Sequence, residues 1–257
     1  MVLSNLESVV DSTATTQFIE EISIIIAAQD LTPTIMSQDF LKFSGIIPKE
    51  WELAQKPLLN PSFAQLNFKN GLSIVAQPRS ITLSESLNQQ NLADIQIAGV
   101  AAKYVEKLPH AEYVGLSFSP KILVPFPQNP AGVRQYITGN LLGAGAWKEI
   151  GNFPVQAGVN LMYMLDRCQL TIAISEARIQ PPQQSQMTAL LFAGNFNYNI
   201  GQNNGSESKV EQLISILNNW QTDFNAFREI VRDKFLATTS SLGESSYAQS
   251  LFPDRTL

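Results

Sequence analysis

The sequence predicts an α+β fold, a largely antiparallel sheet with helices on one face. Three observations point there. An Asn-Gly pair, Asn70-Gly71, joins two runs that alternate apolar and polar residues, the strongest short-range signal for a β-hairpin. Two stretches, 91–108 and 208–235, instead repeat their apolar residues at helical spacing. The 257 residues are 44% hydrophobic, enough apolar material for a buried core without disulfide staples.

Residues 1–17 are rich in Ser, Thr and small polar side chains and read as an arm or short helix over the surface. Ile22-Ser23-Ile24-Ile25-Ile26-Ala27 is β-branched, short and apolar on both faces, which predicts a central strand. Ser37 is placed to cap a short helix over 37–43 that stops at Gly45, with Trp51 beyond it. Phe63–Phe68 and Leu72–Ala76 flank the Asn-Gly turn. A second reversal at Gln77-Pro78-Arg79 leads into Ile81–Glu85, making a three-stranded meander.

From Asn91 to Leu108 the residues Leu92, Ile95, Ala98, Ala102 and Val105 share one helical face, and Pro109 ends the run. Gly99 inside it costs about 1 kcal/mol relative to Ala, which raises the question of a close backbone approach. Tyr113–Phe118 and Ile122–Val124 read as strand up to Pro125. A helix from Pro130 carries Val133, Tyr136 and Ile137 and ends in the Gly139, Gly143, Gly145 cluster. Residues 155–164 and 168–179 form a hairpin about Leu165-Asp166-Arg167, and 187–200 a further strand.

The last helix has the clearest signature. Ser208 and Glu211 supply a capping box, and Val210, Leu213, Leu217, Trp220, Phe224, Phe227 and Val231 recur at steps of three and four. A single helix of about 28 residues would span roughly 42 Å. The tail, 237–257, is Ser-rich and reads as flexible or as an extended arm.

The order strand, short helix, hairpin, long helix occurs twice, which divides the chain into halves at 18–109 and 110–236 and suggests an internal duplication. Trp51 answers Trp147, Arg79 answers Arg167, and Ile81–Glu85 parallels Ile172–Glu176. Chance resemblance between hairpins gives the same pattern, so both explanations stand at this point.

Composition narrows the function. Twenty-two acids outnumber 17 basic residues, the formal charge is −5, and no basic run occurs, so nucleic acid is not expected as a partner. No apolar run of about 18 residues is present, so no membrane span is expected. One cysteine, Cys168, and one histidine, His110, exclude an intrachain disulfide and a zinc cluster, and no metal or other cofactor is expected. With no positively charged leader ahead of an apolar core, a cytoplasmic setting is expected. Only 15% of residues are charged, and an amide-rich surface is cheap to desolvate on self-association.

No nucleophile elbow, zinc helix, Walker loop or calcium loop occurs, and no residue is assigned a catalytic role. The Gly139–Gly145 segment follows a helix rather than a strand, unlike a phosphate loop. His110 sits at a helix exit without a visible partner, and Cys168 reads as a small buried residue. The ligand-binding candidates are the turn residues Arg79 and Arg167 and the paired carboxylates Glu85 and Glu176, which could face each other if the halves are related by a twofold axis. Asn195–Asn199 alternates Asn with Phe196 and Tyr198, either a stacking surface or a strand with one buried aromatic face. Trp220, Phe224 and Phe227 are the candidate interface.

These observations lead to a non-catalytic cytoplasmic interaction or assembly module that forms a homo-oligomer or binds another protein. An alternative is a small-molecule binder with an apolar cavity between sheet and long helix, softened by Met162, Met164 and Met187. A carboxylate enzyme using Glu85, Asp166 or Glu176 is the third.

Overall fold

A computed structural model describes residues 18–87, 92–127, 129–180, 185–201 and 208–237. The expected arm, 1–17, and all of the expected tail beyond Ala237 lie outside the described residues. The fold is α+β: nine strands make one antiparallel sheet with helices packed on one face.

The strands are β1 (Ile19–Ala28), β2 (Leu58–Asn60), β3 (Phe63–Asn67), β4 (Leu72–Gln77), β5 (Ser80–Ser86), β6 (Tyr113–Pro125), β7 (Val159–Met164), β8 (Gln169–Ile179) and β9 (Met187–Asn199). Their order across the sheet is β2-β3-β4-β5-β1-β6-β9-β8-β7. Apart from the short β2, that order is palindromic about the β1–β6 seam: each half lays a three-strand meander beside its own first strand. The isoleucine-rich segment is central, as its two apolar faces require, with Ile24 opposite Leu83 on one side and Phe118 on the other. The Asn70-Gly71 turn forms where expected, and Gly71 adopts φ 90°, the region open to glycine at no steric cost.

The residue matches drawn between the halves shift by one strand. Ile81–Glu85 lies in β5, whose place in the palindrome is that of β9, whereas its sequence parallel, Ile172–Glu176, lies in β8. Glu85 on β5 and Glu176 on β8 are therefore not counterparts. The first half also carries one further strand, the short β2.

The register fixes the two faces. Ile22, Ile24, Ile26, Leu83, Phe118, Phe192, Phe196 and Ile172 all point to the helical side and are buried. The other face carries small polar side chains such as Ser23 and Ser84, whose hydroxyls lie 2.8 Å apart, and one ion pair, Lys121 to Glu21 at 2.7 Å.

Helix α1 (Gln38–Phe43) starts at Ser37, whose hydroxyl accepts the Phe40 N–H at 3.1 Å, and ends before Gly45 at φ 74°. The 91–108 stretch is a 3-10 turn, Leu92–Asp94, followed by α2 (Ile97–Lys107). No close approach explains Gly99, because a Cβ there would meet nothing within 4 Å. The helix expected from Pro130 is a short α3 (Gly132–Gln135) that widens into a π-turn, Tyr136–Leu141.

The long C-terminal helix is not continuous. It divides into α4 (Lys209–Asn218) and α5 (Trp220–Glu229), then a π-turn, Ile230–Leu236. Asn219 breaks it at φ −95°, ψ 8°, with its side-chain amide donating to the Ser215 carbonyl at 3.0 Å. Asn competes for backbone groups in this way and is a poor helix residue. The break lets α4 pack on α2 while α5 lies on β6.

Under α5 the sheet is hollowed. Pro120 stands in the centre of β6, where the ladder to β9 skips Ser119 and Pro120, and Gly194 lies in the facing part of β9. A Cβ on Gly194 would come within 2.7 Å of the Phe227 ring and 3.0 Å of Pro120. The missing side chain is what seats Phe227. No helix among the described residues is long and apolar enough to cross a membrane.

Candidate functional site

Two features of the second half stand apart from the packed core, and they adjoin at the β7–β8 turn. The first is a cleft of about 730 Å³ between that turn, the end of β9 and the α4–α5 break. The second is the outer edge of β7.

The cleft is built on a buried carboxylate. Asp223, in the first turn of α5, is 2% exposed. The Nε of Arg167 donates to its Oδ1 at 2.9 Å, Arg167 Nη2 donates to the same oxygen, and the Tyr198 hydroxyl donates to Oδ2. Such a buried charge persists only when paired and hydrogen-bonded. Arg167 also lies over the Phe196 ring, 5.9 Å from its centroid, so the guanidinium is held from two sides while remaining half exposed.

These neighbours set the protonation states. Burial pushes the Tyr198 hydroxyl above its ordinary value and Asp223 pushes it further, so it stays protonated and donates. Burial works against the charge on Arg167, but its hydrogen bonds to Asp223, the neighbouring Tyr198 and the Asp223 charge together outweigh it and hold the guanidinium above its ordinary range. Burial also raises the Cys168 thiol, which keeps it a thiol at neutral pH and a weak nucleophile. Around this centre the lining mixes in about equal measure neutral polar residues, among them Gln212, Ser215, Asn219 and Thr222, with the apolar Met164, Leu165, Ile200 and Ile216. Among the described residues, no group of three or more His, Cys, Asp or Glu could hold a metal ion.

The fold scatters the other candidates. Arg79 sits in the β4–β5 turn at φ 68°, across the β1–β6 seam from Arg167, so no joint anion site forms. Glu85 accepts the Gln96 and Ile97 N–H groups at 3.0 and 2.8 Å and holds the start of α2. Glu176 pairs with Arg134 at 3.2 Å. The two carboxylates do not face each other, because β1, β6 and β9 stand between their strands. His110 is exposed in the α2–β6 turn, and Asp166 is exposed at the cleft mouth. Phe196 and Tyr198 are core, with Asn195, Asn197 and Asn199 on the opposite face.

Trp220, Phe224 and Phe227 are buried within the chain's own core. Trp220 and Phe118 lie 6.3 Å apart between ring centroids, and Trp220 and Phe224 6.2 Å. The space between sheet and α5 is filled by these rings. Met162 and Met164 are on the surface rather than lining an interior cavity. Sequence reading passed over Asp223. Its signal was an acid inside the apolar stripe, three residues after Trp220 and four before Phe227, a position that demands a buried partner.

The edge strand β7 reads Val-Asn-Leu-Met-Tyr-Met, with neither charge nor proline. Among the described residues its outer backbone groups pair with no other strand. Met162 is 66% and Met164 77% exposed, and Ile150 and Phe153 in the approaching segment are exposed as well. Compared with protein-family models and with curated protein sequences, the chain matches none.

Proposed function

We propose that this protein is a non-catalytic interaction module that self-associates by laying β7 antiparallel on the β7 of a second copy. The observation that carries the reading is the state of that edge. Natural sheets blunt their edges with charge, proline, brevity or a cover, because unpaired N–H and C=O groups template further pairing. The opposite edge, β2, follows this rule: three residues between Pro57 and Pro61. β7 has twice that length and carries neither charge nor proline.

An uncharged strand can oppose its own copy without like-charge contacts, which favours a second copy over an unrelated partner. Backbone hydrogen bonds would supply the pairing, and the pliable Met162 and Met164 would pack across it. The low overall charge agrees with such an assembly. An unpaired thiol, Cys168, accords with a reducing, cytoplasmic setting.

Sedimentation velocity of the full chain over a range of concentrations tests the reading. A reversible dimer is expected, and Met162→Lys with Met164→Lys should weaken it roughly 100-fold through lost burial and like-charge opposition. Leu58→Lys on β2 should leave it unchanged. A monomer at every concentration, or a dimer indifferent to the lysines on β7, would refute it.

A further inference from the structure

The geometry of the cleft points to a second activity beside the β7 edge: we propose that it binds an uncharged, hydroxyl-rich small molecule of saccharide type, oriented by Arg167. The cavity, about 730 Å³, lies within the ~300–1,000 Å³ common to small-molecule sites. Its polar lining is far richer in amides and hydroxyls than in charge, which decides what it would recognise.

The charged groups in the lining are Asp166, Arg167 and Asp223, two carboxylates against one guanidinium, a net charge of −1. Phosphate and polycarboxylates are repelled by that balance. Arg167 is moreover already neutralised, since both Nε and Nη2 serve Asp223 Oδ1. What the pair provides is direction rather than charge. A guanidinium locked by a buried carboxylate and an aromatic ring, yet half exposed, presents its remaining N–H groups in a fixed orientation.

A sugar hydroxyl both donates and accepts, and adjacent hydroxyls match the paired oxygen and nitrogen of a side-chain amide. On the helical side of the cleft Asn219 supplies such an amide, and Ser215 and Thr222 add hydroxyls. Ile216 offers an apolar patch for the C–H face of a pyranose ring. An apolar ligand would instead leave these polar groups unpaired, at a cost for each.

Saturation-transfer NMR on the full chain tests this with glucose, galactose, N-acetylglucosamine, maltose, lactose and chitobiose as probes, and inorganic phosphate and citrate as anions. At least one saccharide should receive saturation while neither anion competes with it. Ser215→Trp, which fills the cleft from the exposed side of α4 without touching Asp223, should abolish the transfer. Arg167→Lys keeps a cation beside Asp223 but loses the planar fork, and should weaken binding at least about tenfold with an unchanged circular-dichroism spectrum. The proposal is overturned if no saccharide binds, if binding survives Ser215→Trp, or if phosphate displaces the sugar.

Discussion

The two halves of the sheet are covered by helices that reach the same end differently. Over the first half, α2 presents small residues, Ala98, Ala101 and Ala102, with Val100 and Val105, so its backbone can lie close to the strands. Over the second, α4 and α5 present Leu213, Leu217, Trp220, Phe224 and Phe227. Rings stand farther off the sheet unless the sheet gives way, and here it does, at Pro120 and Gly194. The starts differ as well. α4 is capped by its own residues: Ser208 accepts the Glu211 N–H at 3.2 Å and Glu211 accepts the Ser208 N–H at 2.8 Å. α2 is held by a carboxylate from the sheet beneath it, Glu85. One cover is specified locally and fastened by bulk; the other is fastened by a contact that exists only once the sheet has formed.

The contrast breaks most visibly at Phe227. This ring is fully buried against Gly194 and beside Pro120. Phe227→Ala should cost about 3–5 kcal/mol, measured by urea denaturation. A loss under about 1 kcal/mol would mean that α5 settles into the recess, and that bulk is not what fastens this cover.

The next effect concerns the docked start of α2. Glu85→Ala removes the acceptor for two helix N–H groups and should cost about 1–2 kcal/mol, the range of a lost N-cap. Burial raises the Glu85 pKa above the ordinary carboxylate value of 4.5, and the two backbone N–H groups offset only part of that. The folded chain therefore binds this proton more tightly than the unfolded chain. The stability it contributes is complete below pH 4.5 and is lost as pH rises through the raised value. In Glu85→Gln that descent should vanish, while Glu211→Gln, on the locally capped helix, should not reproduce the change. Equal pH profiles for the parent and Glu85→Gln would show that the carboxylate carries no such linkage.

The same division explains how much of the molecule was legible in the sequence. The α+β class, the Asn70-Gly71 hairpin, the Ser37 and Ser208 caps and the helical stripes depend on residues within a few positions of one another, and each is present. The β1–β5 and β1–β6 pairings join residues about 60 and 100 positions apart, and period-two patterns carry no record of which strand is next to which. That is why the halves were aligned one strand out of step. Glu85 caps a helix that starts 12 positions later, and Arg167 meets Asp223 across 56, so both looked like isolated surface charges. The stripe of Trp220, Phe224 and Phe227 was correctly read as apolar, but an apolar stripe does not say whether a sheet or a second chain covers it. The break at Asn219 settles the geometry, because it turns α5 down onto β6. β7 was recognised as a strand; that it ends the sheet follows only from the complete strand order.

The smallest expected effect has the opposite sign and sharpens the account of α2. Tyr104, on the sheet side of α2, is buried, and its hydroxyl has no hydrogen-bond partner among the described residues. Burial raises its pKa, as does the neighbouring Tyr113, so the hydroxyl stays neutral and its desolvation is uncompensated. Tyr113 is the internal control: its hydroxyl donates to the Leu108 carbonyl at 3.0 Å. Tyr104→Phe should therefore stabilise the chain by up to about 1 kcal/mol, whereas Tyr113→Phe should destabilise it by about 1 kcal/mol. Paired thermal and urea melts of the two variants decide the matter. If Tyr104→Phe loses stability as Tyr113→Phe does, the Tyr104 hydroxyl is bonded, and close packing of small residues is not the whole of what holds α2 to the sheet.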